Sequence, residues 1–298
     1  MTDLLLDDVA RIASGRPVRP LAASEILHDA GEARRSLHLV LQGGVRLEAE
    51  TPFGPHPVGE LPAPCLFDVR VAIGGGEGVC RGRPLPGSRA AAIPVEEAHR
   101  LLFAPGPDGA ALRRLALGSL TASLRTAIAA RSGFFDPPAG SAPAAPEPVN
   151  PPPIEERPVD PEHAGALFDA AGLDPSLLPS LGLTARRLMP GATLFAEGRL
   201  RVSVTIPGAG EEALAFLGPG EVVGEMSLVD DAPRSASVYA HNGPATVYVL
   251  SREVFRRLLE SGDEMGAPLL AGMAIVLARR LEEALHKAAG FRVLSGPG

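Results

Sequence analysis

Short stretches in which apolar and polar residues alternate fill the first third of the chain, and a period of two is typical of half-buried strands. The pattern predicts strands over 25–28, 36–41 and 45–50. Gly43-Gly44 separates the last two and marks a tight turn. Residues 3–14 carry their apolar positions at helical spacing. The chain therefore begins with a short amphipathic helix that leads into paired strands.

Two helices are predicted after these strands. The first covers 94–103, with Pro94 at its start and Glu96-Glu97 in its first turn, where the helix dipole favours acidic residues. The second covers 108–131 and has an apolar seam at alternating spacings of three and four: Leu117, Leu120, Leu124 and Ala127. Such a seam packs either on the strands of its own domain or on a second copy, and the sequence leaves both options open.

A change in composition divides the chain in the middle. Residues 136–161 hold ten prolines, with Ala, Ser and Glu between them. Because this composition does not support a packed core, it predicts an extended, semi-stiff spacer. We therefore expect a domain over 1–133, a linker over 134–161 and a second domain over 162–298.

The second half returns to short strands followed by helices. Strands are predicted over 192–196, 199–206, 212–217, 236–241 and 246–250, and helices around 164–171, 175–181, 252–260 and 266–289. Ser251 is the expected N-cap of the third of these helices. The last helix carries a stripe at four-three spacing, which predicts either a lid or a self-association surface: Leu270, Ala274, Leu277, Leu281, Ala284 and Ala288.

One stretch of the second half has several constrained positions in order. Residues 218–237 read GPGEVVGEMSLVDDAPRSAS, with Gly224-Glu225 followed ten residues later by Arg234-Ser235. This string resembles the phosphate-binding cassette of cyclic-nucleotide-binding domains, whose pattern is Gly-Glu, a small or apolar run, and then Pro-Arg-Ser/Thr/Ala-Ala. The competing interpretation is a β-hairpin in which these residues only form turns and solvated charges.

The resemblance implies a role for each matching residue. A helix that opens at Gly224 presents free backbone N–H groups to a phosphate, and the missing side chain permits close approach. Arg234 offers a planar guanidinium to the phosphate oxygens, and Glu225 accepts a ribose hydroxyl proton. The implied cyclic-nucleotide site comprises Gly224, Glu225, Met226, Ser227, Arg234, Ser235 and Ala236. The ligand would be cAMP or cGMP, and no other cofactor or metal is expected.

The first half resembles the same fold more weakly, so the chain is predicted to contain it twice. Its cassette departs from the pattern, because Asp68-Val69 stands where Gly-Glu is expected and Gly78 stands near the Arg position. A rival alignment on Gly59-Glu60 and Arg70 leaves too few residues after the strand that ends near residue 50. The first copy is therefore predicted to be degenerate and ligand-free.

The second copy lacks a piece that the family pattern contains. A strand and a glycine turn normally separate the Leu-Phe-x-Glu-Gly segment from the next strand, but here Gly198 runs directly into Arg199. This predicts a roll that is open on one side, with an unpaired edge unless another element covers it.

Composition narrows the function further. The 298 residues have a formal net charge of −7, which does not suggest a nucleic-acid surface. Cys65 and Cys80 form no metal or disulfide pattern, which favours a reduced, cytoplasmic setting. The sequence shows no signal peptide, no apolar run of membrane-spanning length, no His-x-His pair and no Gly-x-Ser-x-Gly motif. We expect neither enzymatic activity nor a membrane partner.

The sequence thus predicts a mainly β, α+β protein with two tandem β-rolls of the cyclic-nucleotide-binding type and flanking helices. Its predicted function is a regulatory sensor that binds a cyclic nucleotide in the second domain. Its other expected partner is a protein or a second copy, contacted through the C-terminal helix. The alternative is a non-enzymatic interaction or scaffold protein made of two rolls that have lost the ligand.

Overall fold

The computed structural model describes residues 2–28, 35–73, 80–132, 155–157, 159–162, 164–165, 184–188, 196–206, 210–219, 221–230, 236–261 and 266–295. The chain divides into two compact units. The first unit combines Met1–Phe134 with Leu258–Gly298, and the second unit is Phe135–Arg257. Both units mix strands and helices, which confirms the predicted α+β class. The domain prediction of 162–298 differs from this division, because residues 258–298 lie in the first unit.

The strands of the first unit form two antiparallel sheets. The strands are β1 Val18–Pro20, β2 Ser36–Gln42, β3 Gly44–Thr51, β4 Gly54–Pro62, β5 Cys65–Phe67, β6 Arg81–Pro84 and β7 Arg89–Pro94. One sheet has the order β1-β7-β2-β5 and the other has the order β4-β3-β6. Apolar side chains of both sheets meet in one core, which includes Val40, Val45, Leu47, Leu61 and Phe67.

The predicted strand over 25–28 is wrong. The first edge strand is β1 instead, which pairs with β7 through Val18 and Ala91. His28 forms only an isolated bridge with Gly82. The reason is local, because the backbone N–H of Glu25 bonds to the Ala22 carbonyl and closes a turn there.

Four helices accompany these sheets in the described part of the first 134 residues: α1 Thr2–Ala13, α2 Val69–Ala72, α3 Val95–Phe103 and α4 Pro107–Ser132. The predicted seam of α4 is buried inside this unit, and Ala127 belongs to the core between the sheets. The seam therefore packs on its own domain. Arg113 of α4 is also buried and donates from Nη1 to the carbonyls of Leu102 and Ala104, where α3 ends.

The second unit contains one five-stranded antiparallel sheet in its described residues. The strands are β8 Glu155–Arg157, β9 Thr184–Leu188, β10 Ala196–Ile206, β11 Gly210–Leu217 and β12 Ser237–Val249. Their order in the sheet is β11-β10-β12-β9-β8. Two predicted strands merge into β12, which bends at Asn242 and Gly243, both with positive φ. The apolar face of this sheet includes Leu200, Leu217, Val238 and Val247.

Part of the predicted linker is a strand. Glu155–Arg157 pairs with β9 and covers the edge of that strand. These three residues lie between prolines at 153 and 158, so they can supply the backbone N–H groups that proline lacks. Strand β8 thus forms one edge of this sheet within the described residues, and the predicted opening beside Gly198 stays a prediction.

The described residues after 134 contain three named helices: α5 Met226–Asp230, α6 Arg252–Ser261 and α7 Gly266–Ser295. The Ser251 hydroxyl accepts the N–H of Val254 at 3.2 Å, which confirms the predicted N-cap of α6. Three residues of the predicted α7 stripe are buried within the first unit: Leu270, Ala274 and Leu277. Leu281 and Ala284 are partly buried, and Leu285 joins the core between the sheets. The predictions for 166–171, 175–181 and 192–195 lie outside the described residues. No helix in the described ranges is both long and apolar enough to cross a membrane.

Candidate functional site

The cassette of the second unit is a sharp turn followed by a single helical turn. Gly224 has a φ of +78°, a left-handed conformation that glycine adopts without steric cost. The carbonyl of Glu225 then accepts the N–H groups of Leu228 and Val229 at 3.1 and 3.3 Å, which starts α5. Strand β11 leads into this turn, and β12 begins after it. The sequence thus forms the helix opening that the motif implied.

The side chains of the turn are turned inward. Glu225 is only 2% exposed, and Met226 and Ser227 are also buried. The Ser227 hydroxyl donates to the Gly224 carbonyl at 2.9 Å, which closes the turn around the glycine. Burying a carboxylate without polar partners costs free energy. The buried Glu225 therefore distinguishes this turn from a loop that only exposes its charges to solvent.

The structure adds one residue to the site that the motif did not include. Arg252, the first residue of α6, donates from Nη2 to the Ser227 carbonyl at 2.8 Å. A cation in the first turn of a helix is disfavoured by the helix dipole. An arginine at the first position of a predicted helix is therefore a sequence signal that it binds an acceptor outside that helix.

The structure describes five of the seven predicted site residues. Gly224, Glu225, Met226 and Ser227 come together at the start of α5. Ala236 is half-buried and directly precedes β12. Arg234 and Ser235, to which the motif assigns the phosphate contacts, lie outside the described residues.

The first unit has a counterpart of this turn. Asp68 has a φ of +78° and ψ of +33°, and it caps the four-residue helix α2. Its φ equals that of Gly224, and both residues stand at the entrance of a short helix. Val69 follows Asp68 where Glu225 follows Gly224. The geometry therefore supports the alignment of Asp68-Val69 with Gly224-Glu225, while Gly78 lies outside the described residues.

The counterpart is filled by the protein's own side chains. The Asp68 carboxylate pairs with Nδ1 of His28, and both side chains are buried. The ring of Phe67 lies against Gly82 so closely that a Cβ on that glycine would come within 2.2 Å of the ring. Val69 is buried and offers no acceptor for a ribose hydroxyl.

A small cavity lies beside the counterpart among the residues that the structure describes. Its volume is about 40 Å³, and Asp68, Val69 and Arg70 line it together with Ala278 and Leu281 of α7. Nη1 of Arg70 pairs with Oε2 of Glu282, also on α7, at 2.8 Å. Since small-molecule pockets typically enclose about 300–1,000 Å³, this cavity accommodates a few atoms and no nucleotide.

Burial perturbs two titratable groups in the first unit. Burial lowers the pKa of His38 to about 4; Arg19 lowers it further and Glu25 opposes the shift. Burial also raises the pKa of the Cys65 thiol to about 12, so this cysteine is a poor nucleophile. Among the residues that the structure describes, no group of three or more His, Cys, Asp or Glu could hold a metal ion.

Comparison with known sequences finds a family match in the second half of the chain. The family described as "Cyclic nucleotide-binding domain" matches residues 187–261, which include β10, β11, the cassette, β12 and α6. This segment is therefore similar to cyclic nucleotide-binding domains.

Two curated relatives carry similar segments. The cyclic AMP receptor protein of Thermus thermophilus is 44% identical over 92 residues, which are 30% of this chain and 40% of that protein. The CRP-like cAMP-activated global transcriptional regulator of Mycobacterium tuberculosis is 27% identical over 144 residues, or 43% of this chain and 61% of the regulator. The chain therefore spans about half the length of these relatives.

Solved structures give looser likenesses. The regulatory domain of Toxoplasma gondii PKA with cAMP covers 97% of this chain and 93% of its own, at 14% identity and a TM-score of 0.31. A cyclic nucleotide-binding domain from Methylobacillus flagellatus covers 49% of this chain and 90% of its own, at 22% identity and a TM-score of 0.40. The family match of residues 187–261 comes from sequence comparison alone.

Proposed function

We propose that this protein is a non-enzymatic regulatory sensor whose second unit binds a cyclic nucleotide. The observation that carries the proposal is the left-handed turn at Gly224, which leads into α5 beside a buried Glu225, inside the segment that matches the family. Both curated relatives named above are described by their response to cAMP. Cyclic AMP is therefore the first candidate ligand, and cyclic GMP is the second.

In this proposal, different cassette residues bind different groups of the cyclic nucleotide. Gly224 allows the phosphate to approach the backbone, and the N–H groups that follow it can bind the phosphate oxygens. Arg234 supplies the guanidinium that pairs with the phosphate charge, and Ser235 adds a hydroxyl. Glu225 accepts the ribose 2′-hydroxyl, while Met226, Ser227 and Ala236 shape the walls.

The first unit serves a different purpose in this proposal. Its turn at Asp68 is occupied by His28 and Phe67, and its cavity is far smaller than a nucleotide. We assign it an interaction role, with no ligand of its own. This filled turn also supports the second candidate function, a scaffold built from two rolls that no longer bind nucleotide.

The apolar stripe that was predicted as a contact surface on the C-terminal helix is not exposed. Leu270, Ala274 and Leu277 are buried within the first unit, so the stripe is not available to a second copy while it packs there. A protein partner or a homodimer contact on α7 would have to use its exposed face, which includes Ile275 and Arg279.

Calorimetric titration of the full chain with cAMP and cGMP tests the proposal. We expect saturable binding that Arg234→Ala abolishes, because removing one partner of a buried charge pair costs roughly 3–5 kcal/mol. That cost corresponds to a loss of about a hundredfold to a few thousandfold. The control is Arg199→Ala, since Arg199 is exposed on β10 outside the cassette. If the unmodified chain does not bind cAMP or cGMP at millimolar concentration, the sensor hypothesis is wrong and the scaffold hypothesis takes its place.

A further inference from the structure

The sheet of the second unit has two faces, and its apolar cluster uses one of them. Leu200 and Val202 of β10 point into this cluster, and Val223 of the cassette packs against it. Because the side chains of a strand alternate between the two faces, Arg201 and Ser203 lie on the opposite one. This polar face is therefore separate from the proposed cyclic-nucleotide site.

Two polar atoms of the polar face are buried without a hydrogen-bond partner among the described residues. They are Nε of Arg201 and Oγ of Ser203. Ser203 is 0% exposed, so its hydroxyl does not reach bulk solvent either. A buried polar group that forms no hydrogen bond destabilises a fold, and such a group commonly marks the place of an ion, a water or a ligand. The two atoms therefore indicate that a polar group binds beside them.

Within the described part of the chain, one long hydrogen bond holds the Arg201 guanidinium. Its Nη2 donates to the Glu211 carbonyl at 3.5 Å, whereas such bonds usually measure about 2.9–3.0 Å. In the register Glu211 stands opposite Thr205, so the Arg201 side chain extends along β10 past Ser203. The guanidinium and the buried hydroxyl thus lie beside each other, and a stronger acceptor can replace the long bond at little cost.

Aromatic rings flank this arginine on both neighbouring strands. Phe216 of β11 and Tyr239 of β12 are its register partners, and directly opposite residues of antiparallel strands share a face. Phe216 is 51% exposed, and its ring centroid lies 4.8 Å from that of His241. Rings on both sides of a guanidinium can stack on a planar ring of a ligand while the guanidinium binds an anionic group of the same ligand.

We propose that the polar face is a second binding site, which takes the terminal phosphate of a ligand that also carries a planar ring, such as a nucleoside 5′-monophosphate. Nε and Nη2 of Arg201 bind two phosphate oxygens, and the Ser203 hydroxyl donates to the third. Phe216 and Tyr239 lie against the planar ring. The proposal goes beyond the proposed function and does not rest on it, because none of these residues belongs to the cassette.

The donors of the polar face select among phosphate ligands. A terminal phosphate presents three strong acceptor oxygens and a charge of about −1.5 to −2, which three donors match. The phosphate of a cyclic nucleotide is a diester with fewer free oxygens and a smaller charge, so it fits the site less well. One guanidinium and a net charge of −7 on the chain do not favour a polyanion such as a nucleic-acid strand.

One acidic residue opposes the binding of an anion. Glu211 stands opposite Thr205, which is four residues after Arg201 on β10, so its exposed carboxylate shares the polar face. A negative charge there weakens the attraction between the guanidinium and a phosphate. Removing that charge therefore offers a variant that should bind more tightly.

Calorimetric titration of the full chain with 5′-AMP tests the site. The chain carries Arg234→Ala, which removes nucleotide binding by the cassette from the measurement. We expect one saturable site that neither adenosine nor cAMP occupies. Adding Arg201→Ala should weaken binding about tenfold to a hundredfold, because hydrogen bonds to a charged group are lost. Arg257→Ala is the control, since it removes the same charge from an exposed position on α6 and should leave the affinity unchanged.

Three further variants separate binding from a structural role. Arg201→Lys keeps the charge without the paired donors and should also lose most of the affinity, so it serves if the alanine variant does not fold. Ser203→Ala should weaken 5′-AMP binding about threefold to tenfold, yet the free chain should melt at the same or a higher temperature, because a buried hydroxyl without a partner is removed. Glu211→Gln should tighten binding about twofold.

Each part of the proposal has an outcome that overturns it. The site is excluded if 5′-AMP does not bind at millimolar concentration, or if both Arg201 variants bind it as well as their parent does. Equal affinity for inorganic phosphate and 5′-AMP would remove the role of the rings. Tighter binding of a short oligonucleotide than of 5′-AMP would contradict a site for one terminal phosphate. A lower melting temperature in Ser203→Ala would show that its hydroxyl has a structural role instead.

Discussion

Asp68 in the first unit and Gly224 in the second have the same backbone φ of +78° at the entrance of a short helix. Glycine adopts this conformation without cost, whereas an L-residue meets its own carbonyl there. Aspartate is among the few other residues that tolerate it. The same turn is therefore kept in both units, with glycine where the ligand is proposed to bind and with a paired aspartate where it is not.

Substitution of Asp68 should separate backbone strain from the loss of its ion pair. Asp68→Ala and Asp68→Gly both remove the partner of His28, but only alanine adds strain at positive φ. We expect the alanine variant to be less stable than the glycine variant by about 1 kcal/mol. Chemical denaturation of the full chain measures both free energies of unfolding. An alanine variant as stable as the glycine variant would show that the left-handed turn is not maintained.

A charge in the apolar stripe of α7 should destabilise the first unit. Leu277 is 0% exposed, so Leu277→Glu buries a carboxylate among apolar side chains and should cost at least about 3 kcal/mol. Ile275→Glu is the matched control, because Ile275 is 43% exposed on the same helix and should change the stability by less than about 0.5 kcal/mol. Equal melting temperatures for the two variants would contradict the packing of α7 on the first unit.

The low pKa of His38 predicts a pH dependence of stability. Its pKa is about 4 in the folded chain, chiefly because of burial, against an ordinary value of about 6.5. The unfolded chain therefore binds more protons between these values, and the contribution of His38 rises with pH across this window. It is complete above about pH 6.5 and is lost as the pH falls toward 4.

A variant without the imidazole isolates this contribution. The difference in unfolding free energy between the unmodified chain and His38→Asn should grow by about 2 kcal/mol from pH 4 to pH 6.5, allowing for partial exposure. Urea denaturation at several pH values measures it. A difference that is constant with pH would show that His38 titrates normally in the folded protein.

The sequence predicted local structure well where one periodic signal was sufficient. The seam of α4 and the N-cap Ser251 both depend on residues close in sequence. The turn at Gly43-Gly44 was also recognisable, but β2 pairs with the distant strands β5 and β7 and not with β3. The cassette motif was recognisable for the same reason, because Gly224-Glu225 and the Arg234-Ser235 pair lie within twelve residues. A motif whose residues are close together in sequence can be recognised without knowledge of the fold.

The sequence could not predict where distant segments pack. The stripe on α7 indicated that this helix buries one face, but periodicity does not name the surface that covers it. The pairing of Arg70 with Glu282 joins residues over two hundred positions apart. The contact of Arg252 with the cassette was missed because a backbone carbonyl, the acceptor at Ser227, has no signature in the sequence.

The account depends most on the claim that the second unit binds one cyclic nucleotide and the first binds none. Equilibrium dialysis of the full chain with labelled cAMP and cGMP measures the number of sites directly. The account predicts one saturable site per chain, loss of that site in Arg234→Ala and its retention in Arg199→Ala. Two sites per chain would contradict the filled turn at Asp68, and binding that survives Arg234→Ala would contradict the cassette as the site.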